Sequence, residues 1–158
     1  MNKFFLSFAF VWGFLFAVDF ACVDTNKIIR ESKFIAKTQQ EFRRDIEKYQ
    51  KEIETKQKKL QELKKKVESG VISEQAKKKT MEQIEKLEEE LRKLQVEAQT
   101  KLAKKKSQLE QMIFNKVIAI VEKKAKTKGL SAVFDCNMLL YKDKKIDISD
   151  EVLRELDK

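Results

Sequence analysis

The chain has 158 residues, 39% of them charged and 9% aromatic, with 35 Lys and Arg against 26 Asp and Glu and a net charge of +9. It contains no histidine, no proline, two cysteines and three glycines. That inventory removes the commonest general base and metal ligand, and it supplies neither a zinc site nor a Gly-rich phosphate loop, so no enzyme and no cofactor is expected.

Lys3 is followed by a largely apolar run over residues 4–18. The run is shorter than the roughly 20 residues a membrane span needs and suits a secretory signal. Residues 1–17 are therefore expected to be a cleaved signal peptide, with Ala17 as the small residue at the cleavage site. An uncleaved anchor is the alternative, and it would make the protein an envelope structural coiled coil tethered by its N-terminus. Stretching the run to Val23 would bury Asp19, which is costly in lipid. A lipoprotein reading around Cys22 is weaker, because Asp19 stands where an aliphatic residue is wanted.

After a short apolar strand over residues 19–24, two stretches lack both glycine and proline, residues 26–67 and 73–128. Gly70 and Gly129 lie where each helix would stop. Ile46, Ile53, Leu60 and Val67 recur every seven residues in the first stretch, and Ile84, Leu91 and Ala98 in the second, a coiled-coil seam. The frame steps by four at Ala98 to Leu102, as it does at Phe42 to Ile46. Leu63 and Met81, Leu60 and Ile84, Ile53 and Leu91, Ile46 and Ala98, Phe42 and Leu102, and Ile35 and Leu109 form pairs whose residue numbers each sum to 144. An antiparallel hairpin folding about position 72 requires that relation. The fold class is mainly α with a small β base: an arm over 26–128, tip near 68–73, on a discontinuous base of 18–25 and 129–158. The first helix would be roughly 60 Å long at 1.5 Å per residue. Lys56, Lys101 and Lys105 interrupt the seam, so the arm is expected to bend.

Residues 27–128 carry 29 Lys and Arg against 17 Asp and Glu, a net of +12, whereas residues 129–158 carry 5 against 7, a net of −2. The positive field belongs to the arm and attracts anionic partners in a salt-dependent way. At the tip, Lys64, Lys65 and Lys66 precede the turn and Lys77, Lys78 and Lys79 follow it, with apolar Val71 and Ile72 between. Those eight residues are the candidate contact point for an anionic or unfolded partner; a solvated lysine face is the competing reading. Nucleic acid is not expected, because the chain reads as exported and the arm has few aromatics for base stacking.

Gly129 closes the second helix after Lys126 and Lys128. Residues 130–135 read as a second strand and 138–142 as a third, with Cys136 and Asn137 at the turn. Ser149 opens a short capped helix with an apolar side, Val152, Leu153 and Leu156. Three strands this short do not stand alone, so the base is expected to be completed by further copies of itself. Cys22 and Cys136 both fall in the base. An oxidising compartment permits a bond between them, and each also suits a small buried apolar position, which is the preferred reading.

Three features together carry a resemblance: the strand at 20–24 leading into a helix, the turn Ser69, Gly70, Val71, Ile72, Ser73 and Glu74, and the ending "GLSAVFDCNMLLYKDKKIDISDEVL". In that ending Asp135 and Asn137 form an Asp-x-Asn turn, Tyr141 ends a strand, and Asp147, Ile148 and Ser149 start a helix. The chain resembles the Skp/OmpH family of periplasmic chaperones, over its whole mature length; Cys22 and Cys136 depart from the pattern. The resemblance implies a homotrimer whose bases join in a small β-barrel and whose arms enclose a cavity. It further implies a periplasmic, ATP-independent holdase for unfolded outer-membrane proteins. Lipopolysaccharide and anionic lipid are the further partners a basic exported arm would meet.

Overall fold

A computed structural model of the protein describes residues 19–158; the expected signal peptide, residues 1–17, lies outside the described residues. The chain runs β1 (Phe20–Val23), α1 (Thr25–Glu31), α2 (Lys33–Glu68), α3 (Glu74–Lys128), β2 (Ala132–Asp135) and α4 (Ser149–Leu156), with 3-10 turns at Cys136–Met138 and Lys144–Ile146. Among the described residues no helix is long and apolar enough to cross a membrane.

The long helices stop for local reasons. Ser69 follows the last turn of α2, and Gly70 takes φ of 67°, the left-handed region where a side chain is strained. Ser73 then caps α3, its hydroxyl accepting from the Ala76 amide, and Glu74 sits in the positive first turn. Gly129, again at φ of 67°, ends α3 after Lys126 and Lys128.

α2 and α3 lie against each other in opposite directions, since Asp45 meets Lys105, Lys56 meets Glu90 at 2.8 Å and Lys64 meets Glu88 at 2.7 Å. Those pairs sum to 150, 146 and 152, departures from 144 that the reach of a long lysine side chain spans. The deepest positions of the α3 seam are Thr80, Leu87, Leu94 and Ala98, while Ile84 and Leu91 are only half-buried. Lysines of α2 lie beside glutamates of α3, and Thr80 is accommodated because its hydroxyl donates to the Ala76 carbonyl at 2.8 Å. Beyond Thr38 no side chain of α2 is fully buried. The distal arm is thus held by half-buried apolar contacts and exposed ion pairs, each worth well under about 1 kcal/mol, which places it at the low-stability end of the molecule.

The expected single first helix is broken at Ser32. Ser32 is almost fully buried, takes extended φ and ψ of −70° and 123°, and caps α2 by accepting from the Ile35 amide. The remaining free amides at this start, Lys33 and Phe34, donate to the Asp157 carboxylate at 3.1 Å each, and the Ser32 hydroxyl donates to it at 2.7 Å. A residue from the far end of the chain therefore fixes where the arm begins. α1 turns away from the arm and buries Ile28 in the base.

The base core joins Ala21 and Val23 of β1, Ile28, Ile35, Ile120 of α3, Ile148, and Val152 and Leu156 of α4. β1 and β2 pair in parallel, Phe20 opposite Ala132 and Val23 opposite Asp135, and the whole arm serves as the crossover that parallel strands require. On its other side β1 meets the later chain, with Cys22 bridging Asp147 and the Ile148 amide donating to the Cys22 carbonyl at 3.0 Å. Two expectations are corrected here. Residues 138–142 form no strand, because among the described residues none lies beside them to pair with, and Met138, Leu140 and Tyr141 stand 82%, 109% and 84% exposed. Cys22 and Cys136 are not two buried thiols; they are joined in a disulfide with Cα atoms 4.9 Å apart.

Candidate functional site

The tip lysines do not form one uninterrupted basic patch. Lys64 is engaged with Glu88, Lys77 is half-buried, and Lys65, Lys66, Lys78 and Lys79 are exposed. Val71 is 87% exposed while Ile72 is half-buried. Below the turn a groove of about 820 Å³ has Val67, Met81 and Ile84 as its apolar surface, edged by Lys64, Lys77 and Lys78 and by Glu68, Glu74, Glu82, Glu85 and Glu88. The glutamates of the first turns of α3 interleave with the lysines, so mutual repulsion is largely relieved. A mixed, apolar-floored groove suits an extended polypeptide better than a phosphate, since it offers both signs of charge and little fixed geometry.

A second apolar surface lies at the arm's root. α1, α2 and α3 enclose a groove of about 390 Å³ whose walls include Ile28, Ile29, Ile35, Ile113, Phe114 and Val117. Ile29 is 55% exposed and Phe114 60%. The sequence signal was present but unread: between 109 and 121 apolar residues occupy more positions than one helical stripe can bury. Higher on α3, Met81 and Val96 are also exposed.

At the base, the turn after β2 is tied down by carboxylates. Asp135 accepts from the Asn137 amide at 2.9 Å and from the Thr25 hydroxyl at 2.6 Å, and Asp24 accepts from the Lys27 amide and the Asn137 side chain. The Thr25 hydroxyl and the Asn137 amide hold Asp135 below the usual carboxylate range, as the Lys27 amide and Asn137 side chain do for Asp24. Asp147, just before the start of α4, accepts from both the amide and the hydroxyl of Ser149, and it pairs with Lys142 at 2.6 Å. Burial pushes the Asp147 carboxyl up, but Lys142 and the two Ser149 donors outweigh it and draw it down to about 2.

Because the folded value is depressed, the stabilisation from Asp147 is fully present above the ordinary carboxylate range and is lost as pH falls through about 2. It amounts to about 2 kcal/mol. Asp147→Asn is expected to lower the melting temperature at neutral pH and to flatten its fall between pH 4 and pH 2. A variant whose acid profile parallels that of the parent would refute the assignment.

The model of the family described as outer membrane protein (OmpH-like) matches residues 19–156. The chain belongs to the OmpH-like family. An uncharacterized protein of Aquifex aeolicus (strain VF5) is 63% identical over 158 residues, covering 100% of this chain and 98% of that one. A crystal structure from Caulobacter crescentus CB15, described as a candidate OmpH-like outer membrane chaperone, superposes with a TM-score of 0.76 over 89% of this chain and 85% of that chain. At 11% identity that likeness concerns the fold. It covers most of both chains, so the overall fold is shared.

Proposed function

We propose that this OmpH-like protein is an ATP-independent holdase of the periplasm, reached by a cleaved signal peptide, that binds unfolded outer-membrane proteins and keeps them from aggregating. It works as a homotrimer whose bases unite in a small β-barrel and whose arms surround a cavity. It acts by holding and not by bond chemistry, so no residue is assigned a catalytic role and no cofactor a place. The observation that carries this reading is the arm itself: a basic, weakly packed pair of helices that leaves Met81, Val96, Met112 and Phe114 exposed. Such an arm offers many weak apolar contacts to a client and a positive field to draw it in, and it can splay because few buried contacts hold it rigid. The family membership and the outer-membrane chaperone among its structural relatives point the same way. The base supports self-association: β2 has β1 as its only strand partner among the described residues, and Met138, Leu140 and Tyr141 stand uncovered next to it. The tip residues Lys64, Lys65, Lys66, Val71, Ile72, Lys77, Lys78 and Lys79 contribute a peripheral contact for clients, lipopolysaccharide or anionic lipid.

The test dilutes a urea-unfolded outer-membrane barrel protein into buffer with and without this chain, across a salt series, and follows light scattering. Strong suppression at low salt that weakens with added salt is expected. Undiminished aggregation at low salt would overturn the holdase reading.

A further inference from the structure

The loop that follows β2 leaves and returns to a single residue. Cys136, at its start, is bonded to the Cys22 sulfur, and at its end the Ile148 amide donates to the Cys22 carbonyl at 3.0 Å. The Lys142–Asp147 ion pair closes the neck between these two fastenings. Both sulfurs are buried, whereas the outer part of the loop carries Met138, Leu140 and Tyr141 into solvent. Next to the loop, the rings of Phe20 and Phe134 meet in a tilted pair across the two strands, centroids 5.8 Å apart, and are each about half exposed. Apolar surface of this kind is normally covered in a working protein, and its continuity with the unpaired edge of β2 names a second copy of this chain as the cover.

We propose that the Cys22–Cys136 disulfide is a clasp that must close before copies of this chain assemble. The proposal rests on the self-association reading above and adds its regulation. Closure is a thiol–disulfide exchange: the two thiols lose two electrons and two protons to the disulfide of an oxidising partner, which leaves as a dithiol, and one sulfur–sulfur bond replaces another. Without the bond, the front of the loop is held by exposed hydrogen bonds, those of Asn137 to Asp24 and Asp135 and that of Thr25 to Asp135. Untethered from β1, the turn at Cys136–Met138 is free to move and the docking surface loses its fixed shape. The Asp147 carboxylate, within 4.8 Å of both sulfurs, opposes the thiolate on either cysteine and so retards exchange once the clasp is shut. A reducing compartment thereby keeps the chain dispersed, and an oxidising one lets it assemble.

The experiment compares the oxidised protein, the same protein reduced with dithiothreitol, the double variant Cys22→Ala with Cys136→Ala, and oxidised Leu140→Ser. Sedimentation reads assembly, and hydrogen exchange reads the amides of 137–146 and of 33–68. The expected result is an assembled oxidised protein, and a dissociation constant raised about tenfold or more in each of the other three. Protection is lost in 137–146 and retained in 33–68. Equal assembly with and without the bond overturns the clasp while leaving self-association standing. A monomeric oxidised protein overturns self-association itself, and the clasp with it. Loss of protection throughout α2 on reduction would mean general unfolding and would likewise refute the clasp.

Discussion

Breaking the Cys22–Cys136 bond is expected to lower the unfolding free energy of the protein by about 4 kcal/mol. The bond joins residues 114 apart in sequence, so in the unfolded chain it closes a loop containing the whole arm. Loop-closure entropy grows slowly with length, and a loop of about 100 residues lies near the upper end of what one disulfide contributes. The folded base has little to set against that loss. Its core joins eight buried residues, two of them a cysteine-flanking alanine and valine. Each large member contributes about 2 kcal/mol of burial, most of which offsets chain entropy. Urea unfolding of the oxidised protein and of the double variant Cys22→Ala with Cys136→Ala, at a concentration where assembly does not change, measures the difference. In heating experiments the shift should be about 10–15 °C. A change below about 1 kcal/mol would contradict the entropic account and mean that the unfolded chain already holds the two strands near each other.

The parts of this fold legible in the sequence are those written in local chemistry. Gly70 and Gly129 stop helices because both take positive φ, and Ser73 starts one because its hydroxyl meets a free amide. The heptads announce helices that pack along a stripe, but a heptad is compatible with several registers. Leu87 is buried and Ile84 only half-buried, a choice between neighbouring stripe positions that periodicity does not make. The break at Ser32 was hidden for a related reason. No glycine or proline marks it, and the carboxylate that stabilises it arrives from Asp157, 125 residues away. The segment 138–142 has strand-forming composition, yet a strand needs a neighbour, and among the described residues it has none.

At the candidate sites the same division holds. The six tip lysines and the nearby Glu68, Glu74 and Glu82 could be read from the sequence, but Glu85 and Glu88 lie further along α3 and come to the groove only when the arm is folded. The root groove was visible as an excess of apolar residues in one helix, while the walls supplied by Ile28, Ile29 and Ile35 come from α1 and α2. The disulfide had no spacing signature at all. It follows from the parallel pairing of β1 with β2, which sets Cys22 beside Phe134 and so brings the next turn over it.

The second large effect is expected at Leu156. It is 1% exposed in the base core and sits on the last turn of α4, whose backbone is also held because Lys116 donates to the Leu156 carbonyl at 3.2 Å. The same lysine lies 3.6 Å over the Phe34 ring, in the first turn of α2. Leu156→Ala removes buried methyl groups and leaves a cavity, at a cost of about 3 kcal/mol. The loss is not confined to packing. Asp157 follows directly, and its carboxylate completes the capping that Ser32 begins, so a slack α4 terminus withdraws the partner of Ser32, Lys33 and Phe34. Asp157→Ala removes that cap alone, at about 1 kcal/mol, and separates the two contributions. Hydrogen exchange at residues 33–36 should accelerate in both variants, and urea stability should fall much further in Leu156→Ala. If exchange there is unchanged in Leu156→Ala while stability drops, the end of α4 packs the base without governing the arm. If both respond, the angle at which the arm leaves the base is set by the last residues of the chain, and the freedom of the arm to splay around a client is decided where the helix starts.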